Sequence, residues 1–176
     1  MLTLLVGGAR SGKSTLAVRM AERQPAPVTF IATAEPFDDD LRERVTRHRA
    51  ERPAEWTTVE CPLELADAIR RVADDQFLIV DCLTVWLGNL VAHVGDAPTI
   101  SRYGHDTNEA LRARHGVTVV VTNEVGMGVH PETAIGREYR DELGRLNQSV
   151  AAIADTTLLL VAGRAVRLDD PWELLE

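Results

Sequence analysis

The octapeptide Gly7-Gly8-Ala9-Arg10-Ser11-Gly12-Lys13-Ser14 restricts this chain more than any other feature, because of where it stands. It follows the short apolar run Leu2 to Val6 and opens a segment, Lys13 to Arg23, whose apolar residues recur at helical spacing. It fits the pattern G-x-x-x-x-G-K-[ST] in the strand, loop and helix context that the pattern requires. Glycines let the backbone curl so that successive N–H groups face inward, and the helix that follows adds its positive end to the same spot. The expected ligand is a nucleoside triphosphate, cradled by Gly7, Gly8, Ala9, Arg10, Ser11 and Gly12. Lys13 reaches the β- and γ-phosphates, and Ser14 offers a hydroxyl to Mg²⁺. Arg10 either contacts phosphate or covers the loop.

The rest of the chain alternates strand and helix signals. Val28 to Ala32 and Phe77 to Asp81 are apolar runs of strand length, and Val117 to Thr122 is β-branched almost throughout. Trp56 to Glu60 has the composition of a short strand. Helical spacing marks Asp38 to Glu51, Leu63 to Ala73, Leu83 to Val91, about Asp106 to Arg114, and Glu132 to Ile153, the longest candidate. Gly95 to Arg102, with Gly, Asp and Pro, is expected to be a surface loop. Thr156 to Val161 and Ala165 to Leu168 read as strands around Gly163, free to return antiparallel. This order predicts an α/β fold over residues 1–176 as one domain: a P-loop NTPase of RecA-like kind, with a mainly parallel central sheet flanked by helices. Ligands then gather at the carboxyl ends of the strands.

With 176 residues and 45% apolar content, the chain can bury one substantial core and is too short for two ordinary domains. Its net charge of −8 argues against a nucleic-acid backbone as the main partner. Cys61 and Cys82 match neither a metal knuckle nor a redox pair and read as reduced, buried thiols. No signal-peptide pattern or stretch of transmembrane length occurs, so no integral membrane segment is expected and the cytoplasm is the expected compartment.

Two further places carry chemistry. Asp81 ends an apolar strand, where phosphate-loop enzymes keep the carboxylate that holds the metal or its waters; the alternative is an N-cap for the helix beginning at Leu83. Between positions 42 and 52 stand Arg42, Arg44, Arg47, Arg49 and Arg52, with His48 among them. On a helix, Arg44, His48 and Arg52 share one face, which is either an anion grip or a solvated charged surface. Neighbouring guanidinium groups disfavour a protonated imidazole and leave His48 free to act as base or nucleophile. Asn123, Glu124 and His130 lie near the same edge, in a Gly-rich turn that either positions a substrate or is merely structural.

Taken together, these residues resemble the bifunctional adenosylcobinamide kinase/adenosylcobinamide-phosphate guanylyltransferases of cobalamin assembly. The resemblance runs through the loop at 7–14, Ile31-Ala32-Thr33, Asp38-Asp39, Arg47-His48-Arg49, Arg52-Pro53 and Trp56. It continues through Asp81-Cys82-Leu83-Thr84, Asn89-Leu90, Thr122 to Gly128, Pro131-Glu132 and Gly144 to Gln148. It implies phosphorylation of the aminopropanol hydroxyl of adenosylcobinamide with ATP or GTP, then transfer of GMP from GTP through a GMP-histidine intermediate. His48 inherits the nucleophile role, although some members carry two adjacent histidines where this chain has Arg47 and His48. By the same resemblance Thr33, Ala34, Glu35, Arg49, Ala50, Glu51, Arg52, Glu60 and Asp81 look like nucleotide-contacting positions, Ser14 and Asp81 being the metal pair. A homo-oligomer is implied, a trimer in known relatives.

A single-step kinase of another small alcohol would explain the loop and Asp81 equally well. A nucleotide switch is the third reading, weakened because no Asn-Lys-x-Asp guanine-reading sequence occurs.

Overall fold

The computed structural model describes residues 1–35 and 52–175. Its strands are β1 (Leu2–Gly7), β2 (Val28–Ala32), β3 (Thr57–Glu60), β4 (Phe77–Asp81), β5 (Thr118–Val121), β6 (Thr156–Val161) and β7 (Arg164–Leu168). Its helices are α1 (Lys13–Glu22), α2 (Leu65–Arg70), α3 (Leu83–His93), α4 (Ala97–Ala113) and α5 (Ala134–Ala151). The strands form one sheet in the order β3-β2-β4-β5-β1-β6-β7. All neighbours are parallel except β6 and β7. The expected mainly parallel α/β sheet with an antiparallel C-terminal return is therefore what forms.

Alternation along the strands sorts the core into two layers. Leu2, Leu4, Ile31, Leu78, Val80 and Val120 point to the face covered by α2 to α5, packing with Trp86, Leu90, Leu111 and Leu143. Leu5, Phe30, Phe77, Ile79, Val119 and Val121 point to the other face, against Ala17 and Ala21 of α1. Covered on both sides, β1, β2 and β5 are buried at every residue, which is why they read as unbroken apolar runs. Edge strand β7 is exposed throughout. No helix among the described residues is long and apolar enough to cross a membrane.

Three sequence expectations need correction or lie out of reach. The loop expected at Gly95 to Arg102 is mostly the first turns of α4, joined to the helix expected further on. Asp96 caps it by accepting from Thr99 N at 2.9 Å, and Pro98 occupies its first turn, where a missing N–H costs nothing. Residues that mark a turn here mark a helix start. Asp81 is not the N-cap of α3: Cys82 holds that position, without a side-chain cap, and Asp81 closes β4. The helix expected from Asp38 to Glu51 lies outside the described residues.

At the amino-terminal end of the sheet, Arg114 organises the connections. Its guanidinium donates to the carbonyls of Val72, Ala73 and Gln76 and to Thr118 Oγ1, at 2.6–3.1 Å, and its side chain is only 3% exposed. Asp74 stands 3.6 Å away and accepts from Gly116 N and His115 N, bonds that hold its carboxyl below the usual range. That stabilisation is present above the unfolded carboxylate value and is lost as pH falls through the lower folded value. Arg114→Ala removes a buried guanidinium and leaves partly buried carbonyls without their donors, and chemical denaturation is expected to show a loss of about 2 kcal/mol.

Candidate active site

Strand β1 delivers the phosphate loop to the carboxyl edge of the sheet, where the chain leaves β1 towards β2 on one side and leaves β5 towards β6 on the other. Such a switch point opens a crevice. Gly7 has φ 153° and a Cβ there would lie 2.3 Å from the Leu160 carbonyl oxygen, so only glycine lets β1 run this close to β6. Gly12, at φ 99°, turns the chain into α1 and serves as its N-cap. The turn between β6 and β7 reaches back: Gly163 N donates to Ser11 O at 3.0 Å. Spacing along the chain gives no sign of this buttress.

Lys13 is 6% exposed. Its Nζ donates to Gly8 O at 2.7 Å, Gly7 O at 3.0 Å and Ser11 Oγ at 3.4 Å. Burial lowers its pKa, with Cys82 and Asp81 acting in the opposite direction. A confined ammonium of this kind gains from an arriving polyanion, exchanging carbonyl partners for phosphate oxygens.

Ser14 and Asp81 line one cleft of about 340 Å³, together with Thr15, Val18, Arg19, Glu22, Phe30 and Arg52. The Arg52 guanidinium lies 3.6 Å from the Phe30 ring centroid, a cation–π contact that forms the floor. Lys13 and Ser14 are thus brought near Asp81, which is far from them in sequence.

The expected nucleotide positions fall into separate environments. Thr33 is fully buried, and its hydroxyl donates to Cys82 O at 2.7 Å and accepts from Cys82 N at 2.8 Å. Asn89 Nδ2 donates to Thr33 O at 2.8 Å and to Pro62 O at 3.1 Å. The Thr33 side chain therefore splices the end of β2 to the residue after β4, and Thr33 N donates to Asp81 O at 3.2 Å. Ala34 is half-buried. Glu35 is exposed, its Oε2 2.8 Å from His93 Nε2. Glu60 is exposed at the end of edge strand β3. His48, Arg49, Ala50 and Glu51 lie outside the described residues.

Sequence reasoning missed a second polar cluster beneath this edge. Thr122 donates to Asn147 Oδ1 at 2.7 Å, Asn147 Nδ2 to Asn123 O at 3.0 Å, Asn123 N to Thr84 Oγ1 at 2.7 Å and Tyr139 OH to Thr84 O at 2.8 Å. Burial pushes the Tyr139 phenol up to about 12. The available signal was the Asn147 side chain at an apolar position of α5. Both cysteines are free thiols; burial, then the neighbouring Asp81, pushes Cys82 up to about 12, so it is an uncharged thiol near neutral pH.

With this geometry in hand, comparison with known proteins is decisive. The family model for cobinamide kinase/cobinamide phosphate guanyltransferase matches residues 3–168. The chain belongs to this family. A bifunctional adenosylcobalamin biosynthesis protein of Pseudomonas aeruginosa is 42% identical over 164 residues, covering 93% of this chain and 94% of that protein. One from Salmonella typhimurium is 37% identical over 181 aligned positions, covering 96% of this chain and 99% of that protein. Among solved structures, a KaiC-like protein of Pyrococcus horikoshii aligns with TM-score 0.50 at 16% identity, over 90% of this chain and 69% of its own. The RadB recombinase aligns with TM-score 0.51 at 16% identity, over 90% and 73%. These distant likenesses show a shared α/β fold alone.

Lys13→Ala removes the buried ammonium while leaving the loop's glycines in place. Calorimetric titration with a non-hydrolysable triphosphate is expected to show binding weakened about thirtyfold or more, with the circular dichroism spectrum unchanged.

Proposed function

We propose that this protein phosphorylates the aminopropanol hydroxyl of adenosylcobinamide with ATP or GTP, and then transfers GMP from GTP to the phosphate so formed, releasing pyrophosphate. The observation that carries this reading is the family match over residues 3–168 on a chain whose phosphate loop faces Asp81 across a single cleft. Residues 1–176 act as one catalytic domain.

In the first reaction the loop from Gly7 to Ser14 holds the triphosphate, with Lys13 against its β- and γ-phosphates. Ser14 and Asp81 are hard oxygen donors on one cleft, and no three His, Cys, Asp or Glu side chains gather as a protein-only cage among the described residues. This fits Mg²⁺, which takes few protein ligands and keeps several waters. Bound there, Mg²⁺ would neutralise charge on the phosphate oxygens.

In the second reaction His48 is the nucleophile. Its imidazole attacks the α-phosphorus of GTP, pyrophosphate leaves, and the phosphate of the corrinoid then takes the GMP and frees the histidine. Arg49 and Arg52, with Ala50, Glu51, Thr33 to Glu35 and Glu60, form the surroundings of the nucleotide by family resemblance; Arg52 on the cleft wall supports this. Since the two reactions attack different phosphorus atoms, the nucleotide sits differently in each. The enzyme works in the cytoplasm as a homo-oligomer, a trimer by resemblance. Exposed Val161, Val166, Leu168, Trp172, Leu174 and Leu175 on and beyond the edge hairpin support an assembly.

Incubation with GTP labelled at the α-phosphate is expected to leave acid-labile, base-stable label on the denatured protein, and His48→Ala to abolish it. Absence of label, or label that survives the substitution, rejects the nucleophile and favours a single-step kinase.

A further inference from the structure

The loop that follows β5 is built more firmly than a connection needs. β5 lies between β1, which carries the phosphate loop, and β4, which ends in Asp81. The chain therefore leaves the sheet between the two halves of the nucleotide site. Glu124 N then donates to Gly7 O at 3.1 Å, tying this loop to the phosphate loop. The Glu124 carboxylate folds back so that Oε1 accepts from Gly126 N. A Cβ on Gly126 would lie 2.8 Å from that oxygen, so a larger residue there would push the carboxylate aside.

Further along, Arg137 donates to the carbonyls of Pro131 and Glu132 at 3.0 and 2.7 Å, and Arg140 Nη1 lies 2.9 Å from His130 Nδ1. Held at both ends, the loop nevertheless turns two apolar side chains to solvent, Met127 at 82% and Val129 at 95% exposure. A firmly held loop with bare apolar residues beside a catalytic cleft marks a binding surface.

Resting on the functional reading above, we propose that this loop is the acceptor subsite, with Glu124 taking the proton of the acceptor alcohol and Met127 and Val129 receiving the corrinoid ring. Asp81 is assigned to the metal position and Glu35 lies against His93, whereas Glu124 stands on the loop tied directly to Gly7. In the step, the alcohol oxygen bonds to the γ-phosphorus and the bond from that phosphorus to the bridging oxygen breaks. The hydroxyl proton passes to Glu124, and the nucleoside diphosphate leaves with the bridging electrons. A polarisable, unbranched methionine suits a broad and partly apolar ring.

The chemistry separates this role from a structural one. An alcohol needs a base, whereas a phosphate monoester is already an anionic nucleophile. Glu124→Gln is therefore expected to lower the ratio of kinase rate on cobinamide to guanylyl-transfer rate on added cobinamide phosphate by about 100-fold. Equal loss of both rates overturns the role. Met127→Asp with Val129→Asp, both at exposed positions, is expected to raise KM for cobinamide at least about tenfold, and KM for the nucleotide by less than about twofold. An unchanged cobinamide KM overturns the surface assignment, as does an assembly that falls apart in sedimentation, which would give the surface to a second copy of the chain. If the unsubstituted protein turns over no cobinamide, the functional reading fails; if it does and the ratio holds, only this inference fails.

Discussion

The carbonyl oxygen of Gly7 is the point on which the site hangs. It accepts from Lys13 Nζ at 3.0 Å and from Glu124 N at 3.1 Å, so one backbone atom joins the buried lysine of the glycine-rich loop to the loop leaving β5. The residue can hold this place only without a side chain, since β6 runs parallel immediately beside it. The start of α1, the lysine on its first turn and the loop that leaves β5 all meet at this junction.

Around it, the carboxyl edge is held by side-chain hydrogen bonds rather than by apolar packing alone. Thr33 and Asn89 splice β2, β4 and α3; Thr84, Thr122 and Asn147 splice α3, β5 and α5. These polar groups are satisfied inside the protein, where a hydrogen bond is directional and its loss is expensive. A core of Leu and Val tolerates sliding, but a network of this sort fixes register. The catalytic edge is thereby rigid where Asp81 and Glu124 emerge, and Met127 and Val129 are left facing solvent just beyond it.

Much of this was legible in the chain itself. Buried parallel strands announce themselves as unbroken apolar runs, and the phosphate loop needs glycine, lysine and serine at set intervals, so neither depends on a distant partner. Local signals failed where they had two meanings. Asp96 and Pro98 suit a turn and a helix start equally well, and only packing of Ile100, Ala110 and Leu111 against the core chose the helix. Asp81 could end a strand or cap a helix until Cys82 took the cap position. The hydroxyl of Thr33 bonds the backbone of Cys82, a partner that no local spacing indicates.

By itself, the sequence determined that the protein has a phosphate-loop motif and a mainly parallel α/β sheet, because these follow from residue type and short-range spacing, while its resemblance to a two-reaction family rests on motifs spread along nearly the whole chain. Tertiary structure decided which distant residues share the cleft, that the Thr33 hydroxyl bonds the Cys82 backbone, and that Glu124 N bonds Gly7 O. Those facts arise from strand order: β4 and β5 follow one another beside β1 although they come much later in the chain, and no local periodicity encodes which strands become neighbours.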